Sequence, residues 1–499
     1  MNVPLTLSGL LLAAAALAGE NDWFVPLGLP PVASPKRISA GEAFPPLPLP
    51  ATPLRRSERK REPAPPKLAG KVVWGESASY TYPNGLSAPV ADWNLCPADL
   101  QQLLRKAGGV LAQPYSLDTV SLNTFDPDPV AMPLLFFSGA RTLRIPEAQL
   151  AKLHDYVLAG GTLVFDSVAG SPYFTDSVRA AMANVFPDSP FRVLPPDHPL
   201  YHIVHTIDRV RFPRNRTSDQ PRLEAVYIGS RAAVILSPFG LGTGWDDHDV
   251  PLLQQAVFYD VKSAHRIGVN LIAYVIGYAE AGREEGKPEL FGARDQRDPT
   301  DEFVFAQIRH DGAWNAHPGA AAALLRRVRS GTAVRASLKR LPVDPGKDDL
   351  SGTPFLFLSG LDDFRFSDEA AAALRTFLSG SGTLVINNGL GLKTFDTAVR
   401  RELKRILPEA AFERLPPDHP VYRAAFTVDA GAAAGAAGAP PSPGPILEGI
   451  AVNGDLRVIY SPVDLEAGWL GCPYPAARTL EPGVAMPLGV NLVLYAMTH

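Results

Sequence analysis

Cysteine is scarce in this sequence, with only Cys96 and Cys472 in 499 positions. This scarcity excludes a disulfide-dense scaffold and a zinc site made of paired Cys-x-x-Cys motifs. Basic residues are not in excess either, because 47 Lys and Arg against 51 Asp and Glu give a net charge of −4. A general nucleic-acid binder would carry a basic balance, so we expect no nucleic-acid partner.

Phosphate-binding motifs are also missing. The sequence has no Gly-x-x-x-x-Gly-Lys-Ser/Thr loop and no Gly-x-Gly-x-x-Gly that follows a strand. We therefore expect no cofactor and no resident metal.

Long hydrophobic runs are lacking except at the N-terminus. Residues 10–18 are apolar throughout, and Ala16-Leu17-Ala18 before Gly19 fits the small-x-small cleavage rule. No Lys or Arg precedes this run, so an uncleaved membrane anchor is the alternative. We predict a signal peptide over residues 1–18 and a location in the periplasm or cell envelope.

Proline is abundant, with 50 residues, and it is concentrated behind the apolar run. Residues 19–70 show no hydrophobic periodicity and include the basic stretch 55–61. Because proline removes backbone donors and favours extended chain, we predict a Pro-rich basic linker over 19–70. The basic stretch can contact an anionic lipid or polymer, or it can simply be solvated.

The main feature of the sequence is an internal duplication. ADWNLCP, FFSG, GTLV, LPPDHPLY and GVNLIAY return as GAWNAHP, FLSG, GTLV, LPPDHPVY and GVNLVLY. The pairs separated by 221 positions are Trp93 and Trp314, Ser138 and Ser359, His198 and His419, and Asn270 and Asn491. We predict two homologous domains over 71–280 and 301–499, joined by a linker over 281–300.

Each copy alternates short β-rich runs with helical runs, which is typical of a parallel α/β sheet. Residues 71–76, 133–137 and 162–165 are predicted strands, and 97–107 and 146–159 are predicted helices. Residues 225–228 and 233–236 supply two late strands before a final apolar helix. The fold class we predict is α/β, with two tandem flavodoxin-like, doubly wound parallel-sheet domains.

Taken together, the repeated motifs resemble a bacterial family of domains of unknown function with a class I glutamine-amidotransferase-like fold. The motifs are Trp-Asn-x-x-Pro, the strand ending in Ser-Gly, Gly-Thr-Leu-Val, Asp-His-Pro-x-Tyr, Gly-Trp and Gly-Val-Asn-x-x-x-Tyr. The resemblance covers both copies and misses only the leader and linker. It implies an exported or membrane-tethered envelope protein without an established catalytic activity, and it offers no active-site residues to carry over.

A glutamine-amidotransferase nucleophile is absent from the expected place. The strand ends carry Ser138 and Ser359 instead of cysteine, and Phe136 and Phe357 stand where a Gly-x-Ser-x-Gly elbow needs its first glycine. These serines are therefore weak nucleophile candidates, and capping of local backbone is the simpler role.

Other titratable residues form candidate sites. Asp197-His198 and Asp418-His419 recur in both copies, where they can bind a ligand or stabilise a rigid Pro-Pro turn. An acidic loop with Asp247 and His248 occurs only in the first copy and is either a candidate for acid/base work or a solvated loop.

The two cysteines leave two alternatives open. Cys472 with His317 would form a nucleophile dyad in the second copy. Cys96 with Cys472 would instead form a disulfide between the copies, and free buried thiols are the remaining possibility.

Aromatic and amide residues near the predicted strand ends complete the set of candidates. Ligand-binding candidates of this kind are Trp93, Asn94, Trp245, Trp314, Asn315 and Trp469. The indoles can stack on a sugar or close the hydrophobic core.

The sequence does not decide whether the protein is an enzyme. We predict a non-catalytic binding or scaffolding protein whose two copies pack as an intramolecular pseudo-dimer, with envelope proteins or glycans as partners. The alternative is a hydrolase or amidase that uses a strand-end site in one copy.

Cleavage after Ala18 gives a direct test of export. We expect the protein isolated from its own host to have the intact mass of residues 19–499, because the small-x-small site directs removal of the leader. A matched chain with Ala16→Arg and Ala18→Arg should keep its leader. A native chain that retains residues 1–18 would contradict the cleavage and favour the anchor.

Overall fold

The computed structural model describes residues 19–32, 65–213, 218–246, 255–292, 302–429 and 447–499. Each copy forms a sheet of seven strands with helices on both faces. The first copy contains β1 (Lys67–Val72), β2 (Ala78–Thr81), β3 (Ser87–Val90), α1 (Asp99–Val110), β4 (Ser116–Val120), β5 (Leu134–Gly139), α2 (Glu147–Leu158), β6 (Thr162–Ser167), α3 (Pro172–Val185), β7 (Arg192–Val193), β8 (Val210–Arg211), β9 (Ser218–Asp219), β10 (Glu224–Ile228), β11 (Arg231–Ser237), α4 (Gly242–Asp246), α5 (Val261–Gly277) and α6 (Ala279–Glu285).

The second copy repeats this order with fewer small strands. It contains β12 (Ala306–Ile308), α7 (Ala320–Gly331), β13 (Leu341–Val343), β14 (Phe355–Gly360), α8 (Asp368–Ser379), β15 (Thr383–Asn388), α9 (Lys393–Ile406), β16 (Glu413–Arg414), β17 (Glu448–Val452), β18 (Asp455–Ser461), α10 (Glu466–Leu470) and α11 (Pro482–Thr498). No helix among these described segments is long and apolar enough to cross a bilayer.

The strand order is the same in both copies. The sheets read β4-β1-β5-β6-β11-β10-β7 and β13-β12-β14-β15-β18-β17-β16. The first five strands of each sheet pair in parallel and, numbered along the chain, follow the order 2-1-3-4-5 of flavodoxin-like folds. The prediction of two doubly wound α/β domains is therefore confirmed.

The last two strands of each sheet are antiparallel, which the sequence analysis did not anticipate. The connection between β10 and β11 is only Gly229-Ser230, and Asn453-Gly454 joins β17 to β18. Two residues make a hairpin but cannot make the long crossover that a parallel pair requires. Asn453 (φ 55°) and Gly454 (φ 93°) have the positive φ pair of a type I′ turn.

Alternate residues of the central strands face two separate hydrophobic layers. Phe136 of β5 packs in one cluster with Leu103 of α1 and Ile267 of α5. Its neighbour Phe137 packs in another cluster with Leu153 of α2, on the opposite face of the sheet. Because both faces are covered, the carboxyl ends of the parallel strands form the edge where a ligand would bind.

The duplicated Asn-x-x-x-Tyr and Asp-His-Pro-x-Tyr motifs bind each other. The Asn270 side chain accepts from His205 N at 2.8 Å and donates to Leu200 O and His205 O, both at 2.8 Å. The Tyr201 hydroxyl accepts from Leu223 N at 3.1 Å. These motifs satisfy buried backbone groups, so their recurrence reflects folding requirements.

Parts of both predicted linkers lie within the described residues and contact the first copy. In the first, residues 19–32 pack against the first copy, and β1 begins at Lys67, four residues before the predicted strand. In the second, residues 279–285 form α6, and Glu285 is buried. The basic stretch 55–61 and the predicted leader 1–18 lie outside the described residues.

The two copies also contact each other. Arg192 forms an ion pair with Asp362 at 3.0 Å, and Asp197 Oδ2 accepts from Lys393 N at 2.8 Å at the start of α9. The Tyr278 hydroxyl donates to Pro475 O at 3.1 Å. These contacts join side chains of the first copy to the strand-end side of the second.

Asn270→Leu should destabilise the protein by about 3 kcal/mol, because the buried Leu200 O and the part-buried His205 N and O lose their hydrogen bonds to the Asn270 side chain. The measurement is urea unfolding followed by circular dichroism. Ser330→Ala, on an exposed helix position, serves as the control and should change the free energy of unfolding by less than about 0.5 kcal/mol. Equal effects of the two substitutions would contradict this account of the motif.

Candidate functional site

Polar groups collect under the carboxyl ends of the first sheet. Lys71 Nζ, at the end of β1, donates to Asp99 Oδ1 at 2.8 Å and to Cys96 O at 2.6 Å. Asp166, near the end of β6, accepts from Leu241 N at 2.7 Å and Gly242 N at 2.8 Å. These side chains have at most a few per cent exposure, so each polar group depends on its protein partners.

Burial dominates the ionisation of this cluster. It raises the pKa of Asp166 to about 7, although the two backbone N–H groups lower it. It also raises the pKa of Asp99 in spite of the Lys71 charge. The pKa of the Cys96 thiol is raised well above its usual value, first by burial and then by Asp99. Cys96 is therefore a neutral thiol and not an activated nucleophile.

The second sheet has a different network at the same place. The Ser359 hydroxyl donates to Glu466 Oε2, and Asn387 Nδ2 donates to the same oxygen at 3.1 Å. Asn387 Nδ2 also lies 3.0 Å from Asp464 Oδ1, and its Oδ1 accepts from Leu465 N at 2.7 Å. Burial raises the pKa of Glu466 to about 7.

His317 lies at the centre of a buried triad. Its Nε2 is 2.7 Å from Asp464 Oδ2 and its Nδ1 is 2.9 Å from Glu285 Oε1. Glu285 belongs to α6, at the end of the first copy, and it also accepts from the Tyr474 hydroxyl at 2.9 Å and from Ser230 N at 3.0 Å. This triad therefore joins the two copies through fully buried charged groups.

The triad favours the protonated imidazole. Burial by itself lowers the pKa of His317, but the Asp464 charge, its hydrogen bond and Glu285 raise that pKa well above its usual value. Burial likewise opposes ionisation of Asp464, and the His317 charge lowers its pKa below the usual range. We conclude that His317 is an imidazolium between two carboxylates, which is a structural ion cluster.

The two networks differ by compensating exchanges. Asp166 is replaced by Asn387 at the equivalent strand position, and Gly242, which donates to Asp166, is replaced by Glu466. The carboxyl group is thus on β6 in the first copy and on α10, the helix that follows β18, in the second. Such exchanges preserve the bonding of buried groups and do not preserve a reactive group.

The predicted Cys472–His317 dyad is not formed. Both ring nitrogens of His317 are bonded to carboxylates. Burial, together with Glu280 and other nearby carboxylates, raises the pKa of the half-buried Cys472 to about 11. The predicted Cys96–Cys472 disulfide is not formed either, because both thiols are free.

The late tryptophans are core residues. Trp245 and Trp469 are 0% and 3% exposed, and their indole N–H groups donate to Ala264 O and Ala485 O in the helices beneath. Both indoles are enclosed in the core of their own copy, and the interpretation of these two residues as ligand-binding groups stays a prediction.

The tryptophans after the first strands are half-buried. Trp93 O accepts from Ser138 Oγ at 2.9 Å, so this serine caps local backbone. Trp314 has the guanidinium of Arg340 5.3 Å from its ring centre. Arg340 also donates to Asn315 Oδ1, while Asn94 is half-buried in the turn that follows Trp93. These residues have partners within their own copy.

The Asp-His-Pro pairs have structural roles in their turns. His198 Nδ1 accepts from Leu200 N, and His419 Nδ1 accepts from Val421 N, each at 3.2 Å at the start of a short 3₁₀ helix. Burial lowers the pKa of His198 to about 3, which keeps it neutral. Asp197 caps α9 of the second copy, as described above, and Asp418 is exposed.

Only the first residue of the acidic loop, Asp246, lies within the described residues. Asp247 and His248 lie outside the described residues. Asp246, directly before them, is buried and accepts from Ala98 N at 2.8 Å near the start of α1. Within the described segments, no group of three or more His, Cys, Asp or Glu side chains is arranged to hold a metal ion.

Sequence reasoning missed the residues that form these networks. The missed residues are Lys71, Asp99, Asp166, Glu285, Asn387, Asp464 and Glu466. Asp166 and Asn387 could have been found from the sequence. Each is a polar residue near the end of an apolar strand, and the two are 221 positions apart, as the other duplicated residues are. Glu285 could not, because it belongs to a segment predicted as a linker.

Each strand-end crevice is covered by a different part of the chain. We call the first crevice the surface lined by Leu95, Cys96, Ala140, Val168 and Ala169; Trp23 of the N-terminal segment (residues 19–32) packs into it. The second crevice is the equivalent surface, which includes Ala316, Leu361 and Leu390. These residues share one hydrophobic cluster with Tyr278 and Ala281 of the first copy.

The fold and site define a tandem α/β protein whose strand-end edges are covered and internally bonded. A family model described as a domain of unknown function (DUF4159) matches residues 85–276 and 304–497. The chain belongs to this family and contains two copies of its domain. Among curated proteins, none matches the sequence.

His317→Gln should destabilise the protein by about 3 kcal/mol or more at pH 5, because it leaves two buried carboxylates without their cation. The folded pKa of His317 is raised, so its contribution is full below the unfolded value of about 6.5 and is lost as pH rises through the folded value. The stability difference between wild type and variant should therefore be smaller at pH 10 than at pH 5.

Urea unfolding at the two pH values measures this difference. His154→Gln is the control, since the His154 side chain is 40% exposed and its ion-pair partner Asp155 is 83% exposed. Its effect should be small at both pH values. A loss for His317→Gln that is small at pH 5 would contradict the ion cluster.

Proposed function

We propose that the protein is a non-catalytic binding or scaffolding protein of the bacterial cell envelope. The observation that carries this proposal is the covering of both strand-end crevices, where doubly wound enzymes keep their reactive groups. Trp23, 1% exposed, fills the first crevice, and the residues of the second crevice are buried in one hydrophobic cluster with Tyr278 and Ala281 of the first copy.

The buried polar groups support the same function. The Ser359 hydroxyl donates a hydrogen bond to Glu466, and the pKa of each cysteine thiol is raised. Covalent catalysis needs a nucleophile that is both activated and accessible. In the described part of the chain, the strand-end candidates are buried and bonded to neighbours.

The two copies act, in this proposal, as one unit. Support comes from the Glu285–His317 contact and from the Arg192–Asp362 ion pair across their boundary. The packing is head to tail, because the second crevice faces helices of the first copy while the first crevice faces the N-terminal segment. A symmetric pseudo-dimer would instead use equivalent surfaces of both copies.

An envelope location rests on the sequence of the leader. The apolar run over residues 10–18 and the small-x-small site before Gly19 support export. Envelope proteins or glycans are the partners that such a location would supply.

The test compares turnover and binding in the same preparations. Full-length wild type, Ser359→Ala and Cys472→Ser are incubated with ester, amide and peptidoglycan-derived substrates, and envelope partners are captured by photo-crosslinking in the host. We expect no turnover above buffer and the same crosslinked partners for all three. Ser330→Ala is the matched control for loss of a hydroxyl.

A hydrolase would give a different pattern. Turnover by wild type that Ser359→Ala or Cys472→Ser abolishes, with the circular dichroism spectrum unchanged, would overturn the proposal and establish the alternative function.

A further inference from the structure

The N-terminal segment contacts the first copy as a bound peptide does. It adds no strand to the sheet, and its contacts are three side-chain anchors with a few hydrogen bonds. Trp23 and Leu27 are each 1% exposed, and Phe24 is covered by the guanidinium of Arg141, 4.0 Å from its ring centre.

Hydrogen bonds fix the direction of the segment. Glu20 Oε1 accepts from Thr142 N at 2.6 Å, just beyond β5. Seven residues later, Leu27 N donates to Leu95 O at 2.7 Å. Farther along, Pro31 O accepts from Asn84 Nδ2 at 3.1 Å. The segment therefore crosses the carboxyl ends of β1 and β5, which is the position where the strand order reverses and ligands bind in this fold.

The first crevice has room that the second lacks. Leu361 and Leu390 of the second copy correspond to Ala140 and Ala169 of the first, at the same offset of 221. Two leucines thus fill the second crevice from within, whereas two alanines leave a space that the Trp23 indole occupies. Since protein interiors are close-packed, the first crevice requires an occupant from outside its own domain.

Trp23 is an imperfect occupant of this space. Its indole Nε1 is buried and has no hydrogen-bond partner among the described residues. A buried donor without a partner weakens binding, because its hydrogen bond to water is lost on docking. A peptide that satisfied or lacked this donor would compete well against the segment.

We propose that the first crevice is a docking site for an extended partner peptide, and that residues 19–32 occupy it in cis until such a peptide replaces them. The pattern that the site recognises is an acidic residue, then two adjacent aromatic residues, then leucine, as in Glu20, Trp23, Phe24 and Leu27. This inference rests on the proposed binding function and names the chemistry of its partner.

Cys96 provides a built-in reporter of exchange. It is 0% exposed and lies in the same hydrophobic cluster as Trp23. In a Cys472→Ser background it is the sole thiol, so its alkylation rate measures how often the segment leaves. We expect Trp23→Ala to accelerate alkylation at least about tenfold, whereas Leu29→Ala, at an 81% exposed position, should leave the rate unchanged.

The decisive step adds peptide to the opened protein. A synthetic peptide of residues 19–32 should restore protection of Cys96 in the Trp23→Ala protein with a saturable dose dependence. The same peptide carrying Trp23→Ala should not. Protection that the wild-type peptide fails to restore, in a protein with an unchanged circular dichroism spectrum, would overturn the proposal.

A second design covers the case in which Trp23→Ala does not fold. A protease site introduced between residues 33 and 64 of the full chain is cleaved after folding, and fluorescent 19–32 peptide is added. Exchange of the labelled peptide for the cleaved fragment supports docking, and permanent retention of the fragment without exchange overturns it. Hydrolytic activity that appears only on opening would instead refute the proposed non-catalytic function while leaving peptide docking intact.

Discussion

The structure depends on one constraint, which is that ionisable groups buried under the strand ends have to find charge or hydrogen-bond partners inside the protein. A buried charge without a partner costs several kcal/mol, so each carboxylate here requires a cation, a hydroxyl or backbone N–H groups. Lys71 forms an ion pair with Asp99, and the backbone N–H groups of Leu241 and Gly242 donate to Asp166. His317 binds two carboxylates, one with each ring nitrogen.

This constraint explains how the two copies diverged without losing their fold. The strand position held by Asp166 in one copy holds Asn387 in the other, and the missing charge reappears at Glu466. Burial raises the pKa of both Asp166 and Glu466 to about 7. Raised carboxyl pKa values often indicate catalysis. Here the same shift occurs in two differently built networks, and a packing requirement accounts for both.

The sequence predicted what is local and repeated. The offset of 221 residues, the apolar strands and the helical spacing around Leu153 gave the two α/β domains and most of their elements. What it could not give depends on distant contacts. His317, Asp464 and Glu285 come from three separate parts of the chain, and their meeting requires the packing of one copy on the other. Trp23 was missed because it lies in a Pro-rich stretch without periodicity, where a single buried anchor leaves no pattern.

The head-to-tail packing of the copies has a consequence for assembly. A surface that binds a different surface on an identical neighbour generates an open chain of subunits unless something ends it. A single domain that carried both the α6 surface and an open crevice would therefore add further domains in a row. In this chain one such contact, from Glu285 at the end of α6 to His317 of the second copy, is made between two domains of the same polypeptide. In this structure the Trp23 side chain occupies the first crevice, so that surface is not open to a further domain.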